Sequence, residues 1–452
     1  MKTFIFLLCM ALCQIQYSND CLATNSKDNS AYSLSLPLGK LQYEHTKLNI
    51  GLDKDCPSSI EGNPVFWAVR IQNLSDYSSE IIFSSKGQNA SVIKTEKGFQ
   101  LKYEKLVKDG KSWDISLTLD FNTTQEAFLI SGNIKNNTVG WAILDFTGPV
   151  ISGIQADLHS FPLLMPCGYG QKFVSTPTEQ NPIDKVSMKG ALTWKRNKSS
   201  YYEISAAYPS RFATMQWCVL GGKNGGLYFG SHDPQFGAKR FSIRYYPDNN
   251  TLGLTFIHEF VCHTGESTEI PPLTIMPYTG TWHAAANYYR AWFDTALTMP
   301  DIPHWAKNSG GWMLTIMKQQ NEEIMWKYDD LDEMSQIAGE RGLDILGLYG
   351  WAHGGHDRFY PDYFPDESMG GREALKDALK AIRNKGLRSI IYVNGQLIDR
   401  HGTDYWEETG QHITVKKQSG ELDYQRWWKY RDAPARYHGM ACLGCDAWYQ
   451  RM

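Results

Sequence analysis

The amino-acid sequence predicts a multidomain protein in which a large antiparallel β-sandwich precedes an incomplete parallel, TIM-type (β/α) barrel. Two observations support this fold class. Before Trp282, apolar residues recur at every second position in many short segments, which is the period of a half-buried strand. After Gly310, apolar runs alternate with segments of helical period, which is typical of parallel βα units.

The first region is predicted to be a sandwich because its short strands are separated by turn residues. Between Trp113 and Phe121, apolar and polar residues alternate, so this strand buries one face. The run Pro247-Asp248-Asn249-Asn250 joins two such strands and predicts a hairpin. Many antiparallel strands at this spacing predict two packed sheets over residues 24–281.

Helical period appears first between Trp282 and Leu297, where Tyr289 and Trp292 share one broad face with Trp282. Pro300 then interrupts the chain. We interpret residues 282–309 as a linker helix and a proline segment between the two main parts.

The barrel region covers residues 310–452 and contains about three strands. A closed barrel takes ~250 residues, so the sequence predicts that this chain is truncated at its C-terminus. Chemistry that depends on later strands would then be missing. The predicted elements are a strand at 311–317, a helix at 329–341, a strand at 343–349, a helix at 372–384 and a strand at 388–394.

The N-terminus predicts export. A short positive start, Met1-Lys2, precedes an apolar run, and Cys21-Leu22-Ala23 offers small residues before a cut at Thr24. We therefore expect a signal peptide at residues 1–23 and a periplasmic or secreted protein. The apolar run is too short to span a bilayer, so we expect no membrane insertion.

Composition narrows the classes of partner. The net charge is −3 with both signs mixed along the chain, which argues against nucleic acid. Aromatic residues make up 13% of the chain, and flat amphipathic rings suit stacking on sugars. We therefore expect a glycan or oligosaccharide as the partner and no cofactor.

Six of the 9 cysteines follow the predicted cleavage site, and their pairing stays open. Cys442-Leu-Gly-Cys445 is the suggestive pair, but a zinc ribbon needs a second Cys/His pair at suitable spacing, and none follows in this sequence. We interpret Cys442 and Cys445 as a loop pair, reduced or bridged.

Ligands of parallel barrels bind at the C-terminal ends of the strands. The long loop after the second strand is rich in glycine, histidine, aspartate and aromatic residues, and such a loop is suited to hold a polyol. The alternative is that its polar residues only anchor the loop by hydrogen bonds. The candidate substrate-binding residues are Trp351, His353, His356, Asp357 and Tyr360, together with Asn394 and Asp399 after the third strand.

The residue types in this loop suggest two chemistries, metal binding and glycoside hydrolysis. The spacing His353-x-x-His356-Asp357 is not that of a helical zinc site, so we predict no metal. A glycosidase needs two carboxylates separated by roughly 5 to 9 Å. Asp357 is one candidate, but the sequence offers no convincing partner for it, and the catalytic residues stay unknown.

Several motifs along the chain resemble those of a known family. They are Tyr208-Pro209-Ser210, Met215-Gln216-Trp217, Gly225 to Asp233, Trp282 to Ala286, Tyr289 to Trp292, the Trp351 to Tyr363 loop and Tyr392-Val393-Asn394. By these motifs the chain is similar to exported bacterial proteins that carry a domain of unknown function and are related to α-galactosidase and endo-α-N-acetylgalactosaminidase type glycoside hydrolases. The resemblance covers nearly all of the chain after the predicted signal peptide.

The resemblance implies a galactose-mutarotase-like sandwich packed on a glycosidase barrel. It also implies a nucleophilic aspartate at the end of strand four and an acid/base carboxylate further on, and this sequence reaches neither position. Two hypotheses for the function follow. In the first, the chain is a glycoside hydrolase-like protein of carbohydrate degradation that lacks the catalytic carboxylates. In the alternative, it is a non-catalytic carbohydrate-binding protein.

Overall fold

A computed structural model describes residues 32–44, 47–52, 67–84, 88–177, 192–196, 201–417, 420–427 and 436–452. The chain divides into two compact units, Met1–Met299 and Pro300–Met452. The predicted signal peptide and Cys56 lie outside the described residues.

The first unit is built almost wholly from strands, as the two-residue period predicts. Its described strands are β1 (Tyr32–Leu36), β2 (Gly39–Glu44), β3 (Lys47–Leu52), β4 (Ala68–Asn73), β5 (Ser79–Phe83), β6 (Ser91–Lys94), β7 (Gly98–Tyr103), β8 (Leu106–Lys108), β9 (Lys111–Trp113), β10 (Ile115–Thr123), β11 (Phe128–Asn136), β12 (Trp141–Thr147), β13 (Ile151–Gln155), β14 (Leu163–Met165), β15 (Gln171–Phe173), β16 (Lys195–Arg196), β17 (Tyr202–Tyr208), β18 (Trp217–Gly221), β19 (Gly225–Ser231), β20 (Lys239–Tyr246), β21 (Thr251–Cys262) and β22 (Ser267–Thr279).

Two large antiparallel sheets pack face to face in this unit. One has the order β15-β14-β18-β19-β22-β11-β10-β7-β6, and the other has the order β16-β17-β20-β21-β12-β4-β5 with β13 beside β21. The rings of Phe229 and Phe256, one from each sheet, stack with centroids 5.1 Å apart. The predicted hairpin at residues 247–250 joins β20 to β21. The sandwich is thus present, with one continuous apolar core between its sheets.

The helix that the sequence places in a linker lies on the sandwich. Helix α1 (Trp282–Ala296) buries Ala285 and Tyr289 against Trp217 and Tyr228 of the nine-stranded sheet. Its apolar face is therefore covered in part within the first unit, while Trp282 stays 42% exposed. This face is broad because aromatic residues occupy successive turns.

The second unit contains the predicted parallel strands. They are β23 (Trp312–Ile316), β24 (Ile345–Tyr349) and β25 (Arg388–Ile391), paired in parallel in that order. Helix α3 (Leu331–Glu340) follows β23, and helix α4 (Gly371–Asn384) follows β24. A short helix, α2 (His304–Lys307), precedes β23.

Both long helices contribute to one core with the sheet. Leu331 and Ala338 of α3 and Leu375 and Ile382 of α4 pack with Leu346 of β24. On the other face Trp312, Leu314 and Ile390 are exposed. The described residues therefore form three strands of a βα sheet, and a closed barrel is not seen among them.

After β25 the chain forms a small folded layer, for which the sequence predicts no elements. Strands β26 (Leu397–Asp399), β27 (Tyr424–Trp427) and β28 (Arg436–Met440) form an antiparallel sheet in the order β26-β28-β27. A π-helical turn at Trp406–Gly410 runs into α5 (Gln411–Ile413), and α6 (Asp446–Arg451) follows β28. Trp406 and Trp448 are buried in this layer, so its aromatic residues form a separate core.

The five cysteines in the described parts of the chain are free thiols, Cys442 and Cys445 included. Cys442 accepts a backbone hydrogen bond from Cys445 across a tight turn. In the same parts of the chain, the helices are all too short or too polar to cross a bilayer.

Candidate functional site

The three parallel strands end at one edge of their sheet, and the loops that follow them lie together there. Met317 donates a backbone hydrogen bond of 2.8 Å to the carbonyl of Tyr349, and His356 donates one of 2.8 Å to the carbonyl of Lys318. The loop after β24 therefore folds back over the end of β23. This is the edge at which parallel sheets place their ligands.

Two glycines allow that return. Gly350 and Gly355 have φ values of 59° and 74°, a region that favours glycine. A Cβ at Gly355 would lie 2.6 Å from the carbonyl oxygen of Gln319, closer than a side chain tolerates. The glycine-rich sequence after β24 is thus required by the path of the loop.

Asp357 lies at the centre of the loop and is only 4% exposed. Its Oδ1 accepts a hydrogen bond of 3.0 Å from the hydroxyl of Tyr360, and its Oδ2 accepts one of 3.1 Å from Nε2 of Gln320. Nε2 of His356 lies 3.3 Å from the same Oδ2. This geometry agrees with the alternative given for the polar residues of the loop, in which Asp357 anchors the loop by hydrogen bonds.

Tyr360 is held as a neutral donor in this cluster. Burial raises the pKa of its hydroxyl far above the ordinary value, and the nearby charge of Asp357 raises it further. The backbone N–H of Asp357 donates a hydrogen bond of 3.1 Å to the same hydroxyl oxygen. The Tyr360 ring is buried, so it supports the loop rather than a ligand.

Asp399 is fully buried below the loop, and each of its carboxylate oxygens accepts a hydrogen bond. Its Oδ2 accepts from the backbone N–H of Phe359 at 2.8 Å, and its Oδ1 accepts from that of His401 at 3.0 Å. The ring of His438, from β28, lies 5.9 Å from the ring of Tyr360. Burial lowers the pKa of His438, while the charges of Asp399 and Asp357 oppose that shift.

Lys318 closes the base of the loop. Its Nζ lies 2.6 Å from Oδ2 of Asp366 and donates a hydrogen bond of 3.0 Å to the carbonyl of His353. Burial of Asp366 would raise the pKa of its carboxyl, but hydrogen bonds from Lys318 and Ser368 lower it below the usual range. Asp366 is therefore an ionised partner of a buried cation.

Trp351 does not have the exposed ring that its predicted stacking role requires. It is 7% exposed, its ring is stacked on Tyr363 with centroids 6.1 Å apart, and its Nε1 donates to the carbonyl of Tyr392 at 2.9 Å. Its ring is buried because it fills the core beneath the loop.

The other two predicted residues also make local contacts. The His353 ring lies 5.0 Å from the ring of Phe359, and its backbone carbonyl binds Lys318. Oδ1 of Asn394 accepts from the backbone N–H groups of Gln396 and Leu397, and its Nδ2 donates to the hydroxyl of Tyr392 at 3.2 Å. Asn394 thereby orients Tyr392.

The side chains of Tyr349, His356 and Tyr392 are partly exposed at this edge, and we call these three residues the aromatic edge. The rings of Tyr349 and Tyr392 stack with centroids 4.6 Å apart, and the ring of His356 lies 6.0 Å and 6.2 Å from them. The His356 side chain is 24% exposed. His356 is a predicted site residue. The two tyrosines are not, and they join the site through their positions at the ends of β24 and β25.

Within the described ranges, three or more His, Cys, Asp or Glu side chains nowhere converge as metal ligands would. The carboxylates of the cluster are instead bonded to lysine, tyrosine, glutamine and backbone donors. The site as built offers aromatic faces and tyrosine hydroxyls to a ligand.

Comparisons of sequence place the chain beside glycoside hydrolases. A family model described as a domain of unknown function, DUF6259, matches residues 272–452. A protein of Monosiga brevicollis named "Putative glycoside hydrolase 22789" is 23% identical over 377 residues, which are 74% of this chain and 28% of that protein. A "Putative glycoside hydrolase" of Bacteroides thetaiotaomicron is 25% identical over 232 residues, covering 49% of this chain and 32% of its own length. The chain thus spans less than a third of these curated relatives.

Solved glycosidases share the fold. The α-N-acetylgalactosaminidase NagBb of Bifidobacterium bifidum, in complex with GalNAc, has a TM-score of 0.62 at 14% identity, and the match covers 90% of this chain and 64% of that one. The GH36 α-galactosidase AgaB of Geobacillus stearothermophilus has a TM-score of 0.53 at 10% identity, with 95% and 62% covered. The chain is therefore glycoside hydrolase-like, by the names of its sequence relatives and by the fold of its structural neighbours.

Proposed function

We propose that this protein acts in carbohydrate degradation and binds a galactose-type sugar at the aromatic edge. The observation that carries the proposal is the stack of Tyr349 and Tyr392 beside the partly exposed His356, at the strand ends where parallel sheets bind ligands. A pyranose has apolar C–H faces and polar hydroxyls, so stacked rings with tyrosine hydroxyls suit both.

The sugar class comes from the structural neighbours. One is an α-N-acetylgalactosaminidase in complex with GalNAc, and another is an α-galactosidase. Both act on sugars of galactose configuration, and we propose the same class for this chain. The sandwich is proposed to be of the galactose-mutarotase type, and the predicted signal peptide supports export to the periplasm or medium.

His356 also has an unfilled hydrogen-bonding position. Its Nδ1 is buried without a partner among the described residues, while its Nε2 faces Asp357. A buried polar group left unsatisfied costs about 1–3 kcal/mol. We propose that a sugar hydroxyl supplies this partner when the ligand binds.

The second candidate function is sugar binding without cleavage. It is favoured by the burial and the hydrogen bonds of the carboxylates near the loop. Glycoside hydrolysis needs two carboxyl groups placed on either side of the scissile bond. Asp357, Asp366 and Asp399 are each at most 4% exposed, and each is already bonded to protein donors. We therefore propose that the described site binds sugar and does not hydrolyse it through these three residues.

Calorimetric titration of the full chain with galactose, GalNAc and α-galactosides tests the binding. We expect His356→Ala and Tyr392→Ala to weaken the binding of one of these sugars by about tenfold or more, a loss of ~1.4 kcal/mol. Phe364→Ala is the matched control, because Phe364 is 53% exposed in the same loop but lies outside the aromatic edge. Equal affinity in all three variants would refute the site.

Assays with aryl α-galactosides and α-N-acetylgalactosaminides separate the two functions. We expect no turnover by the chain alone. Turnover that is abolished by Asp357→Asn would show that Asp357 is a catalytic carboxylate and that the non-catalytic interpretation is wrong.

A further inference from the structure

A groove on the first unit is lined by six aromatic rings. Tyr208, Trp217 and Tyr289 are buried in the packing of the unit, and Phe236, Trp282 and Phe293 are at least partly exposed. The groove lies along helix α1 and has a volume of about 800 Å³, within the range of small-molecule sites. Six of its fourteen lining residues are aromatic, against 13% of residues in the whole chain. These six define the sandwich groove and are Tyr208, Trp217, Phe236, Trp282, Tyr289 and Phe293.

The groove continues into a second section of about 430 Å³. The two sections share Thr214, Met215, Trp217 and Trp282. Tyr169, at the far section, is fully exposed, and Trp282, between the sections, is 42% exposed. Exposed aromatic side chains at two places along one groove can each stack on a different ring of the same ligand.

Polar side chains run beside the rings on the same face of α1. Asn287, Arg290 and Asp294 line the groove at helical spacing. Nε of Arg290 lies 2.9 Å from Oδ2 of Asp294. The guanidinium carries two further nitrogens, and a carboxylate can accept additional hydrogen bonds, so the pair can hold neighbouring hydroxyls.

The charges that line the larger section cancel, because Arg290 and Asp294 form an ion pair. The second section adds one lysine, Lys172. An ionic ligand would need an uncompensated charge at the centre of the groove. The lining therefore favours a neutral ligand rich in hydroxyl groups.

The floor of the groove is held rigid from below. Nζ of Lys239 lies 5.1 Å from the centroid of the Tyr208 ring and is bonded to Asp233 at 2.8 Å and to Gln216 at 2.6 Å. Trp282 is stacked on His283 with centroids 4.1 Å apart. Rings fixed in this way lose little conformational freedom when a ligand stacks on them.

We propose that the sandwich groove is a second carbohydrate-binding site, which takes a neutral oligosaccharide of at least two pyranose rings. Trp282 provides the main stacking face, and the Arg290–Asp294 pair binds hydroxyls. This site is on a different unit from the aromatic edge and does not depend on the function proposed for it.

Titration of the full chain with neutral di- and trisaccharides, chosen from a glycan array, tests the proposal. We expect Trp282→Ala and Arg290→Ala each to weaken binding by about tenfold. Trp326→Ala is the matched control, since Trp326 is 44% exposed and lies in the other unit. The titrations are repeated in the His356→Ala background, in which the aromatic edge is impaired, so that the binding measured there is that of the groove.

Three results would overturn the proposal. The first is that no neutral oligosaccharide binds, and the second is that the bound sugar is insensitive to Trp282→Ala and Arg290→Ala. The third is that the chain self-associates through the groove, seen as a concentration-dependent dimer in analytical ultracentrifugation that Trp282→Ala abolishes. Unchanged thermal unfolding of the variants would show that they are folded.

Discussion

Nζ of Lys318 lies 2.6 Å from Oδ2 of Asp366, and both side chains are at most 10% exposed. The contact joins the end of β23 to the end of the loop that follows β24. Lys318 also binds the carbonyl of His353 in the same loop. One buried cation thus fixes both ends of the loop beneath the aromatic edge.

Lys318→Met should destabilise the second unit by about 3–5 kcal/mol, because it leaves the Asp366 carboxylate buried without its cation. Urea unfolding followed by tryptophan fluorescence measures this loss. Lys376→Met is the control, since the side chains of Lys376 and its partner Glu373 are 71% and 73% exposed, and solvent screening leaves such a pair with little effect on stability. Equal effects of the two variants would contradict the role given to Lys318.

Gly355→Ala should cost more stability than Gly386→Ala. Both glycines have positive φ, 74° and 82°, so alanine is strained at either position by about 1 kcal/mol. Only at Gly355 does the added Cβ also meet a backbone carbonyl, at 2.6 Å, whereas Gly386 has open space around it. Denaturation of the two variants side by side gives the difference, and an equal cost would show that the loop can relax.

Acid should weaken the first unit between pH 6.5 and about pH 4. Burial lowers the pKa of His232 to about 4 and that of His258 to about 3, both from an ordinary value of 6.5. In this window the unfolded chain binds protons that the folded chain does not, so stability falls as pH falls. The loss at pH 5 should be about 2 kcal/mol for each histidine.

Urea unfolding of the wild type and of His258→Gln at pH 7 and pH 5 checks this assignment. Between pH 7 and pH 5 the free energy of unfolding should fall less in the variant than in the wild type. The difference should be roughly the contribution of one histidine. A wild type whose stability is unchanged from pH 7 to pH 5 would mean that these histidines are not held neutral.

The uncovered face of the parallel sheet should promote association. Trp312 is 56% exposed and Ile390 is 43% exposed, and both belong to strands on the open side of the sheet. Contiguous exposed apolar residues of this kind favour aggregation. Trp312→Lys and Ile390→Lys should therefore reduce association. In size-exclusion chromatography each variant should stay monomeric up to a higher protein concentration than the wild type.

The buried face supplies the control for that experiment. Leu346, on β24, is fully buried, so Leu346→Lys should unfold the second unit rather than improve its solubility. If the two exposed variants do not change association, the open face is not what limits solubility.

Period alone was enough to predict the three parallel strands and the two long helices of the second unit, but not the antiparallel layer that follows β25. The helix predicted at residues 372–384 is observed at Gly371–Asn384, and the strand predicted at 343–349 is observed at Ile345–Tyr349. These segments are predictable because each buries one stripe or a continuous apolar run in a local βα unit.

The rest depends on contacts between distant residues. His438 reaches the loop after β24 only because β28 pairs with β26, and no local pattern encodes that pairing. Trp351 and Asp357 have the side chains of a sugar site, but burial assigns them to packing and to anchoring. The aromatic edge could have been predicted in part, since Tyr349 and Tyr392 lie where two predicted parallel strands end.

A crystal structure of the full chain soaked with galactose or GalNAc tests the central claim most directly. The account predicts electron density for one sugar ring at the aromatic edge, stacked on Tyr392 and hydrogen-bonded to His356 or to a tyrosine hydroxyl. A sugar bound elsewhere in the second unit, or an empty edge at a ligand concentration that saturates binding in solution, would contradict it.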